Sequence, residues 1–141
     1  MHVLIIDDEE TLGRSLAVLL ERREAEVTVA LDGASGLRAL SAQPFDVVLL
    51  DNVLPDCRGL ELISSIRASR PEPLVLMMTA YGTFDDAVEA MRRGAHDYIA
   101  KSADVRRIVE RVQNVRGLVE SRRRAVSSIA SAPPLLGASP A

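Results

Sequence analysis

Val47-Val48-Leu49-Leu50-Asp51, followed by Asn52-Val53-Leu54-Pro55-Asp56-Cys57-Arg58-Gly59, is the stretch on which the reading of this chain turns. Four consecutive apolar residues, β-branched or leucine, describe a strand buried on both faces, and such a strand ends where a charge can reach solvent. Asp51 is that end. Pro55 and Gly59 forbid continuation and mark a loop, so the carboxylate stands at a rigid strand end, where open α/β sheets place their chemistry. Taken alone, Asp51 also reads as a polar residue that ends a strand and caps a turn.

Its company favours the first reading. Val3-Leu4-Ile5-Ile6 runs into Asp7-Asp8-Glu9-Glu10, and in a parallel sheet the carboxyl ends of neighbouring strands share one edge. Three further apolar runs read as strands: Glu26 to Ala30, Leu74 to Met78 ending in Thr79, and Asp97 to Ala100 ending in Lys101. Between them lie helical spacings: Leu12, Leu16, Leu19 and Leu20, with Thr11 or an acid as cap; Ala34 to Leu40; Leu60, Ile63 and Ile66; Phe84 to Arg93 with Ala87, Val88 and Met91 inward; and a helix from Ala103 onward. Strands alternating with helices predict a doubly wound α/β fold, a parallel sheet covered on both faces.

A length of 141 residues suits one domain, and 48% hydrophobic residues without tryptophan require an aliphatic core. The net charge of −3 argues against a general nucleic-acid-binding surface. Cys57 is the one cysteine, which excludes an internal disulfide, fits a reducing compartment and reads as a passive loop thiol. The first apolar run is wrong for a signal peptide, and no run approaches the roughly 20 residues of a membrane span. A cytoplasmic protein with no membrane partner is expected.

The strand ends carry Asp7 and Asp8, Asp51, Thr79 and Lys101. Clustered carboxylates repel one another, and a divalent cation resolves that cost. Magnesium takes an octahedron of oxygens, and aspartates without a neighbouring histidine or thiol argue against zinc. Lys101 offers a point charge and Thr79 a hydroxyl to phosphate oxygens. Together these groups describe phosphoryl transfer with Asp51 as nucleophile. Each has a plainer alternative: Asp7 and Asp8 as helix N-terminal charges, Lys101 as a solvated cation, Thr79 as a helix cap.

The pattern of Asp7-Asp8, Asp51 with Pro55 and Gly59 behind it, Thr79-Ala80 and Lys101 resembles the receiver domain of two-component response regulators over residues 1 to about 120. The resemblance implies a CheY-like (βα)5 fold with flavodoxin-like strand order 2-1-3-4-5. It implies that Asp51 is the phospho-acceptor, served by a sensor histidine kinase, and that the domain is a switch with only slow self-dephosphorylation. It implies magnesium held by Asp8 and Asp51, by the Val53 backbone carbonyl, and by Asp7 through water. Thr79 and Lys101 then hold phosphoryl oxygens, and Tyr98 is the switch aromatic that turns inward when Thr79 moves. Ser102 follows Lys101 where the family usually has proline, which predicts a differently aimed lysine.

Val105, Ile108, Val112, Val115 and Val119 recur at alternating steps of three and four, and Val126 and Ile129 keep that register. This is the signature of a two-helix seam, so residues 105–131 are expected to form a dimerisation linker. The receiver resemblance implies the helix 4, strand 5 and helix 5 face as a second homodimer surface. The competing reading buries the first turns on the domain's own sheet, and Gly117 favours it slightly. Leu136-Gly137-Ala138-Ser139-Pro140-Ala141 resembles the opening of the AAA+ ATPase domain of NtrC-type sigma-54-dependent activators. Residues 132–141 are therefore expected to be a linker and the start of a truncated AAA+ output domain.

Two other functions use similar groups. An aspartyl-phosphate phosphohydrolase needs a second acid two positions after Asp51, where Val53 stands, and a cap domain. A receiver-like interaction module that takes no phosphate is the other, with Ser102 as its hint.

Overall fold

The structure is a computed structural model describing residues 1–80, 82–102 and 104–131, with side chains described as far as residue 125. The expected AAA+ start at 132–141 and the side chains of Val126 and Ile129 lie outside the described residues. Strands β1 (His2–Ile6), β2 (Glu26–Ala30), β3 (Val47–Asp51), β4 (Leu74–Thr79) and β5 (Asp97–Ala100) alternate with helices α1 (Glu10–Glu21), α2 (Gly33–Ala42), α3 (Gly59–Arg67), α4 (Phe84–Arg92) and α5 (Val105–Ser131). These five strands pair in parallel, in the order β2-β1-β3-β4-β5. The winding direction reverses between β1 and β3, which opens a crevice beyond their carboxyl ends.

Successive strand residues face opposite sides of the sheet. Val3, Ile5, Val47, Leu49, Leu76 and Met78 therefore enter one apolar layer with Leu16 and Leu20 of α1 and Ile108, Val112, Val115 and Val119 of α5. Leu4, Ile6, Val48, Leu50, Val75 and Met77 enter the other layer, with Leu60, Ile63 and Ile66 of α3 and Ala90 of α4. Both sheet faces are covered, which is why the central strands are apolar without alternation.

One local expectation is decided and two change. Of Thr11 or an acid as cap of the first helix, the structure has the acid: Glu9 is the N-cap, without a side-chain cap bond, and its carboxylate reaches Lys101. Helix α2 starts at Gly33, one residue before the expected start, because Asp32 and Ser35 form a reciprocal capping box. Helix α4 buries Ala90, while Met91 is 49% and Phe84 83% exposed. Spacing defines the apolar stripe of α4, but at this edge of the sheet only the small Ala90 seats fully against the core.

The valine stripe of α5 has its first use at home. Ile108, Val112, Val115 and Val119 are 0 to 5% exposed inside the domain's own core, so up to Val119 the expected seam is covered by this same chain. Beyond the core, Arg122 donates to the Glu72 carbonyl at 3.1 Å and Arg123 pairs with Asp46, holding the helix against the amino-terminal edge of the sheet. Among the described residues no helix is long and apolar enough to cross a membrane.

Candidate functional site

The crevice gathers the predicted residues. β1 delivers Asp7, fixed by its N–H to the Ala30 carbonyl at 3.0 Å, and β3 delivers Asp51. Asp7 is 0%, Asp51 4% and Thr79 2% exposed. One ligand oxygen from each of Asp7, Asp8 and Asp51 lies within 4.8 Å of the others, with Asp8 open to solvent. Gly59 closes the loop behind Asp51: a Cβ there would stand 2.2 Å from the Asp51 carbonyl oxygen, so only glycine lets α3 begin so close to the strand end.

Lys101 enters from the end of β5. Its Nζ lies 2.9 Å from Asp7 Oδ2, 3.0 Å from Glu9 Oε1 and 3.2 Å from Asp51 Oδ2. With Ser102 after it, Lys101 still reaches into the site: its backbone N–H bonds the Thr79 carbonyl at 2.8 Å and its Nζ meets all three carboxylates. Burial opposes the ammonium charge, but the close pairing with Asp7 and Glu9 and the charge of Asp51 outweigh it and raise the Lys101 pKa. Asp51 is pushed up to about 6, chiefly by burial and then by Asp7, against the pull of Lys101.

The donor set fits a hard divalent cation. Asp7 Oδ1 accepts the Glu9 N–H at 2.9 Å, but Asp7 Oδ2 is buried without a hydrogen bond, its approach to Lys101 being an ion pair off hydrogen-bond alignment. One lysine faces Asp7, Glu9 and Asp51, so the cluster keeps an excess of oxygen ligands and negative charge. Val53 donates its N–H to Asp51 Oδ1 at 3.3 Å and leaves its side chain exposed.

Thr79 does not cap α4; Thr83 does, accepting the Asp86 N–H at 3.0 Å. Thr79 instead borders Tyr98. Burial pushes the Tyr98 phenol up, and the neighbouring Thr79 hydroxyl pulls it back. A Cβ at Gly82 would stand 2.8 Å from Thr79 Cγ2 and 2.9 Å from Tyr98 Cε1, so the missing side chain is what admits the inward ring.

Sequence reasoning missed four contributors. Glu9 binds Lys101; Asn52 Oδ1 accepts the Leu60 N–H at 3.3 Å; Asp56 bonds α2; and Arg58 pairs with Asp86 at 3.4 Å, linking the β3–α3 loop to α4. The acidic run Asp7 to Glu10 held a signal for Glu9; Asn52 acts across its own loop, and Asp56 and Arg58 depend on contacts more than twenty positions away. Cys57 is a weak nucleophile, its thiol pushed up to about 11 by burial and by Asp56.

Known proteins share this fold and much of its sequence. Residues 3–113 match the family described as the response regulator receiver domain. The response regulator protein PilR of Pseudomonas aeruginosa is 37% identical over 109 residues, covering 77% of this chain and 24% of that protein. The CheY-like receiver domain protein of Methanospirillum hungatei superposes with a TM-score of 0.80 at 29% identity, over 86% of this chain and 97% of that one. A response regulator of Burkholderia pseudomallei, solved with a phosphorylated aspartic acid, calcium ion and citrate, gives a TM-score of 0.74 at 30% identity, over 93% and 75%. The chain spans about half the length, or less, of the curated relatives it matches. By its sequence match, its strand order and its convergent acids, this chain belongs to the response regulator receiver domain family.

Proposed function

We propose that this domain is a phosphorylation switch in which Asp51 takes a phosphoryl group from the phosphohistidine of a sensor kinase. The observation that carries the reading is Lys101 held by Asp7, Glu9 and Asp51 at the sheet edge, one ammonium among three carboxylates. Asp8 and Asp51, the Val53 carbonyl and, through water, Asp7 would hold magnesium. Bound there, the cation neutralises charge on the phosphoryl oxygens. An Asp51 carboxylate oxygen attacks phosphorus in line as the donor P–N bond breaks, and the departing imidazole takes its proton from solvent. Lys101 exchanges a carboxylate for a phosphoryl oxygen, and the Thr79 hydroxyl donates to another. Thr79 thereby moves toward Asp51, and Tyr98 turns further into the space beside Gly82.

The readout is an interface. Phe84 and Met91 are exposed apolar residues of α4, the helix packed beside β5, and we assign this face and the distal part of α5 to homodimerisation. The α5 helix, continuous to Ser131, then leads toward an NtrC-type AAA+ output domain of a sigma-54-dependent transcription activator, on the resemblance of residues 136–141. The test is intact mass after acetyl phosphate, with and without magnesium, for the wild type and Asp51→Asn. One phosphoryl group added only to the wild type and only with magnesium is expected. Labelling of Asp51→Asn at the wild-type rate would show a wrong acceptor, and repeated turnover of a phosphate ester would favour a phosphohydrolase.

A further inference from the structure

Asp56 lies in the loop behind Asp51, yet its carboxylate points away from the acidic cluster toward α2. Its Oδ1 accepts the Gly33 N–H at 2.9 Å and its Oδ2 the Ala34 N–H at 3.0 Å. These are the first donors of α2, which have no partner inside the helix, while the Ser35 N–H goes to Asp32 at 2.7 Å. One helix end is thus capped by two carboxylates, one from its own N-cap and one from a loop more than twenty positions away. The two N–H groups hold the Asp56 carboxyl below the ordinary carboxylate range.

The loop that Asp56 anchors is itself tightly folded. Leu54 N–H bonds the Cys57 carbonyl at 3.1 Å, Val53 forms an antiparallel bridge with Arg58, and Gly59 N–H bonds the Asn52 carbonyl at 2.7 Å. Cys57 Sγ lies 2.6 Å from where a Cβ on Gly33 would stand, so the loop tip is packed directly on the start of α2. Held by Asn52 and Gly59 at its base and by α2 at its tip, the loop has one way to present the Val53 backbone.

We infer that Asp56 is a positioning residue for the cation site: its bond to the start of α2 fixes the Val53–Gly59 loop and so the direction of the Val53 carbonyl. The inference rests on the proposed function for its cation, but the tie itself acts in the metal-free protein. Outer partners that orient ligands commonly matter 10- to 100-fold in metal affinity; for an exposed tie such as this one we expect about three- to tenfold.

The test compares Asp56→Ala with Asp32→Ala in the 141-residue chain. Both remove a cap from the same helix, so a role confined to α2 stability would move both alike. Magnesium is titrated by amide chemical shifts, and hydrogen exchange of the Leu54 amide is followed without metal. Asp56→Ala is expected to bind magnesium more weakly and to exchange faster at Leu54, Asp56→Asn to fall between it and the wild type, and Asp32→Ala to match the wild type in both. Equal effects of Asp56→Ala and Asp32→Ala, or none from Asp56→Ala, would overturn the inference. A wild type that binds no magnesium would overturn the cation reading instead, and the exchange comparison would still decide the tie.

Discussion

Lys101 Nζ sits 2.9 Å from Asp7 Oδ2, joining the end of β5 to the end of β1 across β3 and β4, with both side chains buried. A cation placed between strand ends neutralises carboxylates that the sheet forces together, yet a single lysine among Asp7, Glu9 and Asp51 leaves the balance negative. The site is therefore tense without metal and has measurable consequences.

Asp51 sets the pH dependence of the metal-free protein. Its folded pKa is about 6, raised by burial and by Asp7, against about 3.9 for an unfolded aspartate. The folded state holds this proton more tightly, so the stabilising contribution is full below about pH 4 and is lost as pH rises through about 6. Asp51→Asn has no charge to bury, and in EDTA it should exceed the wild type by about 1–3 kcal/mol at pH 8 and converge with it near pH 4. Urea denaturation at the two pH values checks this, and a less stable variant at pH 8 would contradict it.

Lys101→Met removes the buried cation and leaves Asp7 and Asp51 facing each other. The expected cost is about 3–5 kcal/mol at pH 8 without metal, the range for breaking a buried pair by deleting one partner. Thermal melts should also show a larger magnesium-induced rise than in the wild type.

Glu9→Gln separates stability from chemistry at the same lysine. The Glu9 side chain is 58% exposed, so its ion pair should contribute under about 1 kcal/mol. Freed from one of three carboxylates, Lys101 reaches a phosphoryl oxygen sooner, and acetyl phosphate should label the variant faster than the wild type. Slower labelling at equal stability would mean that Glu9 aims the lysine rather than competing for it.

Gly82→Ala tests the inward Tyr98. The added Cβ would stand 2.9 Å from the ring and 2.8 Å from Thr79 Cγ2, so the ring must swing out. Overpacking of this kind costs about 1–3 kcal/mol, and the outward ring should show in the Tyr98 proton shifts. Unchanged shifts would show that the pocket yields elsewhere.

Truncation distinguishes the two parts of α5. Ending the chain after Val115 removes Val119, 4% exposed in the core, and should cost about 1–3 kcal/mol of domain stability. Ending it after Arg124 keeps Val119, Arg122 and Arg123; stability should hold while self-association, measured by sedimentation, weakens. An unchanged dimer after the second cut would place the interface elsewhere.

The sheet was legible in the sequence because a strand buried on both faces must be a continuous apolar run, and the first polar residue after it marks where the chain leaves the sheet. Asp7, Asp51, Thr79 and Lys101 were therefore readable from chain order, and parallel topology brought them to one edge. Tertiary structure alone decided what covers each face and where each long side chain points. The valine stripe of α5 looks the same whether a partner helix or its own sheet receives it; burial of Val112, Val115 and Val119 shows the sheet does. Met91 lies on the apolar stripe of α4 but outside the area the core covers. Glu9 and Asp56 read as ordinary solvated acids until folding sets one beside Lys101 and the other at the start of α2. Local periodicity fixes which residues share a face, whereas the partner of a flexible charged side chain depends on distances that exist only after the strands have paired.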